Sequence, residues 1–148
     1  MTVVRTAIGV TPYAVTVKAG QHTLIADEPP GNGGRNAGPA PYDLVLAGLG
    51  ACSAITLRMY ADRKQLAIRS LEVDLSFHRE GERNVIRRIV RLDADLTPEQ
   101  RARFADIIER TPVTLTLKAG SQIRTEFAEF AVPGEKKGGN SAPQHSKS

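Results

Sequence analysis

Polar and apolar positions divide the chain into segments of different period. Val3–Val10 and Tyr13–Lys18 are rich in β-branched residues and flank the turn signal Thr11-Pro12, so both read as strands. Ala19-Gly20 turns the chain into a third, His22–Ala26. Asp27 to Ala40 holds four glycines and three prolines, a composition that cannot sustain a helix and reads as a long loop. Pro41 and Asp43 then suit the first turn of a helix, the one lacking an N–H where none is needed, the other placing negative charge at the positive end of the dipole. A helix from Pro41 to about Gln65 would span about 36 Å at 1.5 Å per residue. From Leu44 to Leu57 apolar or small residues occupy every side of the wheel, and only Arg58–Gln65 is polar. A helix apolar all round has to be covered on all sides.

Alternation by two returns at Leu71, Val73, Leu75 and Phe77, with Glu72, Asp74, Ser76 and His78 on the opposite face. A turn at Glu80-Gly81-Glu82 leads into Val85–Ala94 and predicts a hairpin. Thr97-Pro98-Glu99-Gln100 reads as a capping box with proline in the first turn, opening a helix whose stripe is Phe104, Ile107 and Ile108 and which stops at Thr111-Pro112. Val113–Ala119 fits either a short strand or a helical turn, and Gln122–Phe130 reads as a last strand. The order βββ-α-ββ-α-β predicts one α+β domain over residues 1–131, followed by a tail, 132–148, whose composition predicts disorder. A single twisted sheet covers one side of the long helix, and the second helix offers one apolar stripe. A second copy of the chain is the simplest remaining cover, so an obligate homodimer is expected.

Composition narrows the function. Among 148 residues there is one cysteine, Cys52, which excludes an internal disulfide and any multi-cysteine metal centre and suits a reducing cytosol. MTVVRTAIGV lacks the unbroken apolar stretch of a signal peptide. The uncharged window Leu44–Leu57 is shorter than the roughly 18 residues of a spanning helix, so a cytoplasmic protein without a membrane partner is expected. The net charge is +4, and half of it comes from Lys136, Lys137 and Lys147 set against Glu135 in the tail. With 5% aromatic residues, no tryptophan and no dense basic stripe, nucleic acid is not an expected partner. Arg83, Arg87, Arg88 and Arg91 read as a solvated strand face, and Glu99, Asp106 and Glu109 as a solvated helix face. His22, His78 and His145 lack metal-ligand spacing, so neither metal nor cofactor is expected. Gly31, Gly33 and Gly34 lack a phosphate-binding fingerprint, and Pro39-Ala40-Pro41 removes N–H groups that would cradle a phosphate.

Candidate chemistry therefore centres on Cys52. Three-and-four spacing puts Val45, Gly48, Leu49, Ile55, Thr56 and Met59 on its face of the long helix. Gly48 costs about 1 kcal/mol of helix propensity relative to alanine, which suggests a backbone or ligand approaching closely. Two readings fit: a small buried hydrophobe in a tight helix contact, or a redox thiol at the floor of an apolar pocket. The second needs a cation or donor to favour thiolate, and Arg5 and Arg35 are the available ones.

Residues 33–61, GGRNAGPAPYDLVLAGLGACSAITLRMYA, resemble the signature of the OsmC/Ohr family: a glycine-rich loop, a Pro-x-(acidic or polar)-Leu-x-x-Ala run, then a cysteine in a long helix. The element order and the helix running into Thr111-Pro112-Val113 are similar too, over roughly residues 3–130. The resemblance implies an intertwined homodimer with the long helices at its centre and two equivalent sites at the interface. It also implies reduction of organic hydroperoxides by a cysteine pair, helped by a glutamate and an arginine, in oxidative or osmotic stress. Cys52 matches the peroxide-reacting cysteine. Thr111 stands where the family has its second cysteine, Tyr42 stands where it has the glutamate, with Asp43 beside it, and the arginine has no match. The resemblance thus makes Cys52 the catalytic candidate and Tyr42, Asp43 and Thr111, with Gly48, Thr56 and Met59, the pocket candidates. Without a second cysteine, turnover would need an external thiol reductant. The alternatives are a non-catalytic protein holding a small apolar ligand in the interface pocket, and a structural or regulatory protein with an inert Cys52.

Overall fold

The computed structural model describes residues 1–130, so the expected tail, 132–148, and His145 lie outside the described residues. Three strands, β1 (Val4–Ile8), β2 (Val15–Ala19) and β3 (His22–Ala26), form an antiparallel meander in the order β1-β2-β3. Val17 pairs with Thr6 on one side and Leu24 on the other. The chain then crosses a loop with one 3-10 turn, Pro30–Asn32, into α1 (Pro41–Arg63). A long hairpin follows, β4 (Ser70–Glu80) and β5 (Arg83–Asp93), then α2 (Pro98–Ile108) and α3 (Pro112–Ala119). The fold is mixed α+β, as the periodicities predict.

Local chemistry accounts for the boundaries. The Asp43 carboxylate accepts from the Ala40 N–H at 2.9 Å, satisfying a donor that the start of α1 leaves free. The predicted capping box of α2 forms in both directions, Gln100 N–H to Thr97 Oγ1 at 3.1 Å and Thr97 N–H to Gln100 Oε1 at 2.9 Å. The loop before α1 is ordered by one buried carboxylate. Asp27 accepts from the backbone N–H groups of Glu28 (2.7 Å), Arg35 (3.2 Å) and Ala37 (3.1 Å), and its own N–H donates to the Pro39 carbonyl at 3.1 Å. The loop folds so closely on itself that a Cβ at Gly34 or Gly38 would run into the carbonyls of Glu28 or Ile25.

The core lies between α1, the hairpin and α2, built on Leu57, Ala61, Ile68, Ala94, Phe104 and Ile108. On the inner face of the hairpin, Leu71, Val73, Leu75 and Phe77 pair with Leu92, Val90, Arg88 and Ile86. Gly50 of α1 meets this face so closely that a Cβ there would lie 2.7 Å from Leu75 Cδ1. On the outer face Glu72 pairs with Arg91, and the guanidinium also bonds Asp74.

One open reading is resolved, one expectation changes and one gains detail. Val113–Ala119 is helical, because Pro112 starts α3 and Thr111 turns the chain ahead of it. Gln122–Phe130 forms no strand: a strand needs a neighbour for its N–H and C=O groups, and no described residue supplies one, so Phe127 and Phe130 stand 97% and 98% exposed. α1 is covered on one side only, with Leu49, Ser53, Leu57 and Ala61 buried while Val45, Ile55 and Met59 face outward. By length and composition α1 could also cross a membrane, although Arg58, Asp62 and Arg63 at one end and its packing on β4 make it the central helix of this fold.

Candidate functional site

Cys52 sits midway along α1, half-buried and unpaired with any other sulfur. Its sequence neighbour Ser53 is fully buried, and Ser53 opens onto a polar cluster in an otherwise apolar interior. The Ser53 hydroxyl donates to the Leu49 carbonyl at 2.7 Å and accepts from Arg88 Nη1 at 2.9 Å. The same Nη1 donates to Thr114 Oγ1 at 2.9 Å, while Nη2 donates to the Ile108 carbonyl and to Glu109 Oε1, both at 3.2 Å. Thr111 Oγ1 and Thr114 Oγ1 share a hydrogen bond of 2.6 Å. Arg88 therefore ties the Cys52 turn of α1 to the junction of α2 and α3, with only 12% of its side chain exposed.

That placement corrects the reading of the arginine cluster. Arg88 alternates with Ile86, Val90 and Leu92 and so belongs to the inner face of β5, opposite Leu75. Counting by twos from those apolar residues would have found it. Arg83, Arg87 and Arg91 are exposed, as expected. Glu109 is likewise more than a solvated carboxylate: it lies between Arg88 and Lys118 Nζ, the latter at 2.5 Å, and Lys118 foremost holds its carboxyl below the usual range. A cleft of about 470 Å³ opens beside this group, walled by Leu49, Ile86 and Leu117 and by the polar ends of Asn84, Arg88, Glu109 and Lys118.

The other candidates do not converge within one chain. Tyr42 stacks on Phe77, ring centroids 4.7 Å apart, and Asp43 is engaged in capping. Thr56 lines a cleft with Tyr60, Arg103 and Ile107, whereas Met59 lines another with Ile55, Arg58 and Arg69. Among the described residues nothing lies within 4 Å of a Cβ placed at Gly48, so they do not make the close approach inferred there; the glycine that close packing requires is Gly50. Thr111 is buried in the Arg88 cluster. Arg5 and Arg35 are exposed, Arg5 lying opposite Lys18 across β1 and β2. His22 is exposed, His78 pairs with Glu80 at 2.8 Å, and among the described residues no three His, Cys, Asp or Glu side chains gather as metal ligands.

The family model for OsmC-like proteins matches residues 32–126, a span that begins in the ordered loop and runs through α1, the hairpin, α2 and α3. The chain belongs to the OsmC-like family. Solved structures of OsmC-like proteins share its fold. An OsmC-like protein from Mycoplasma pneumoniae superposes with a TM-score of 0.67 at 19% identity, over 80% of this chain and 87% of that one. An organic hydroperoxide resistance protein OsmC from Legionella pneumophila gives a TM-score of 0.59 at 18% identity, over 80% and 89%. An OsmC-like hydroperoxide resistance protein from Jannaschia sp. CCS1 gives 0.51 at 18% identity, over 86% and 91%. At these identities the likeness is one of fold. No curated protein sequence matches the chain.

Proposed function

We propose that this OsmC-like protein is a one-cysteine, thiol-dependent peroxidase for organic hydroperoxides, acting in the cytoplasm as a homodimer in defence against oxidative or osmotic stress. The observation that carries it is the position of Cys52: the sole thiol of the chain, half-buried on the central helix inside the family-matched segment. Two structural relatives named for hydroperoxide resistance support it. The Cys52 thiolate attacks the outer oxygen of ROOH; the O–O bond breaks, ROH leaves with a proton, and Cys52 becomes a sulfenic acid. One external thiol then forms a mixed disulfide and releases water. A second displaces Cys52 as thiolate and leaves the external pair as a disulfide. Thr111 cannot substitute for either thiol, so excess hydroperoxide without reductant should drive Cys52 on to sulfinic acid.

The homodimer rests on three uncovered apolar surfaces: the outer side of α1 at Val45, Ile55 and Met59, the face of β1 with Val4 and Ile8, and the unpaired segment carrying Ile123, Phe127 and Phe130. Exposed patches of this kind mark association surfaces. A strand-forming sequence without a strand partner among the described residues fits pairing with another copy.

The test is the pH dependence of iodoacetamide alkylation of the native protein, paired with mass spectrometry after one equivalent of cumene hydroperoxide. A gain of one oxygen atom, reversed by added thiol, is expected. An unreactive thiol with no adduct would sink the enzyme and leave a ligand-binding role. That second reading is favoured by the cleft beside α1 that Ala54, Ile55, Met59 and Leu71 line, whose walls do not include Cys52. It predicts that Cys52→Ser binds a small apolar ligand unchanged.

A further inference from the structure

We infer that Arg88 is the positioning residue for Cys52, acting through Ser53 to fix the rotation of the α1 turn that presents the thiol; this deepens the peroxidase proposal and rests on it. Four donated hydrogen bonds from one guanidinium reach three separate elements: Ser53 on α1, Ile108 and Glu109 at the end of α2, and Thr114 on α3. Arg88 lies on the apolar face of β5 opposite Leu75, where a hydrophobic residue would satisfy packing at no desolvation cost. Among the described residues its charge is compensated there by Glu109 alone, and Glu109 is shared with Lys118. Those contacts leave neither terminal nitrogen free to serve the thiol directly, so Arg88 acts through the residue it holds.

Ser53 is the only residue of α1 in this cluster. Its hydroxyl spends its proton on the Leu49 carbonyl one turn back and offers its lone pair to Arg88. The bond therefore constrains the turn Leu49–Ser53, and Cys52 lies inside that turn. Displacing a reacting group by about 1 Å can cost on the order of a hundredfold in rate. A rigid turn matters more when the thiol has no covalent partner, and Thr111, at the family's second-cysteine position, is held by the same cluster through Thr114.

Ser53→Ala removes both bonds of the Ser53 hydroxyl, to Arg88 and to the Leu49 carbonyl, while Arg88 keeps Thr114, Ile108 and Glu109. Two readouts apply to it: the second-order rate of Cys52 with cumene hydroperoxide, and the rate of native-state alkylation by iodoacetamide. The expected results are a hydroperoxide rate about ten- to hundredfold lower and an alkylation rate several-fold higher as the half-buried thiol loosens. Thr114→Val should move both rates the same way from the α3 side, and Thr114→Ser, which keeps the hydroxyl, should restore them. Phe104→Leu, a core substitution away from the cluster, should lower the melting temperature and leave native alkylation alone. If Ser53→Ala and Thr114→Val keep wild-type alkylation, or if Thr114→Ser fails to restore what Thr114→Val loses, Arg88 does not position Cys52. A wild-type protein inert to hydroperoxide would end the peroxidase proposal instead, and the alkylation series would still decide whether the turn is held by Arg88.

Discussion

Along one side of α1, Leu49, Ser53, Leu57 and Ala61 are buried against the hairpin, α2 and α3; along the other, Val45, Ile55 and Met59 stand in solvent. The residue types on the two sides barely differ. What differs is what lies across from them. On a surface helix of a monomer the outward side would be polar, because nothing is gained by exposing valine, isoleucine and methionine to water. The outward positions 45, 48, 52, 55 and 59 step by threes and fours, the spacing of a seam facing another helix. Cys52 is the middle position of that spacing, half-buried between a side packed within the chain and a side that no described residue covers.

The packed side should show the largest effect. Leu57 is 1% exposed and central to the core, so Leu57→Ala should cost about 2–5 kcal/mol in urea-induced unfolding. A loss under about 1 kcal/mol would mean that this side of α1 is looser than its burial indicates.

Ile55→Asp asks the same of the outward side. If α1 faces a second copy of itself, a charge there should separate the dimer, and sedimentation velocity should show the mass falling by half. If the side faces only water, the substitution should leave mass and stability within about 0.5 kcal/mol of the parent. The two sides of one helix would then differ in kind, and the proposed dimer would have to form elsewhere or not at all.

How much of this was readable beforehand follows the same division. α1, the hairpin and α2 were legible because each states its period or its cap within a few residues: Pro41 with Asp43, the alternation Leu71–Phe77, Thr97 with Gln100. Gln122–Phe130 misled because β-propensity describes a fit to a neighbouring strand, and among the described residues that neighbour is missing. Cys52 stood out as the sole thiol. Arg88 did not, because it stands among three solvated arginines and only its parity with Ile86, Val90 and Leu92 sets it on the inner face of β5. The Asp27 cluster was hidden for another reason: its partners are backbone N–H groups at Glu28, Arg35 and Ala37, which no side-chain motif announces.

Two glycines sharpen the contrast at smaller magnitude. Gly48 on the outward side has open space around its missing Cβ, whereas Gly50 on the packed side would press a Cβ against Leu75. In a lone chain Gly48→Ala should stabilise α1 by about 1 kcal/mol through helix propensity. If a second helix approaches there, the same substitution should raise the dimer dissociation constant, measured by dilution in sedimentation equilibrium, while leaving the isolated chain no less stable. Gly50→Ala should gain the same propensity and lose it again as Leu75 rotates away, for a net change within about 1 kcal/mol.

The smallest effect belongs to the loop that sets where α1 begins. The Asp27 carboxyl is held below its ordinary value of 3.8, first by the Ala37 N–H and also by those of Glu28 and Arg35, with burial opposing them. A carboxyl lowered in the folded state binds its proton more readily when unfolded. Its contribution is therefore fully present above the ordinary value and is lost as pH falls through the lowered one. Hydrogen exchange at Arg35 and Ala37 should keep its protection at pH 5 and above, and lose it progressively below about pH 4, before the amides of the α1 core respond. Asp27→Asn should exchange faster at neutral pH and show no such acid step, because the amide side chain does not titrate. An acid step that persisted in Asp27→Asn would assign it to another group, and the entry to α1 would have to be held by the backbone packing at Gly34 and Gly38 alone.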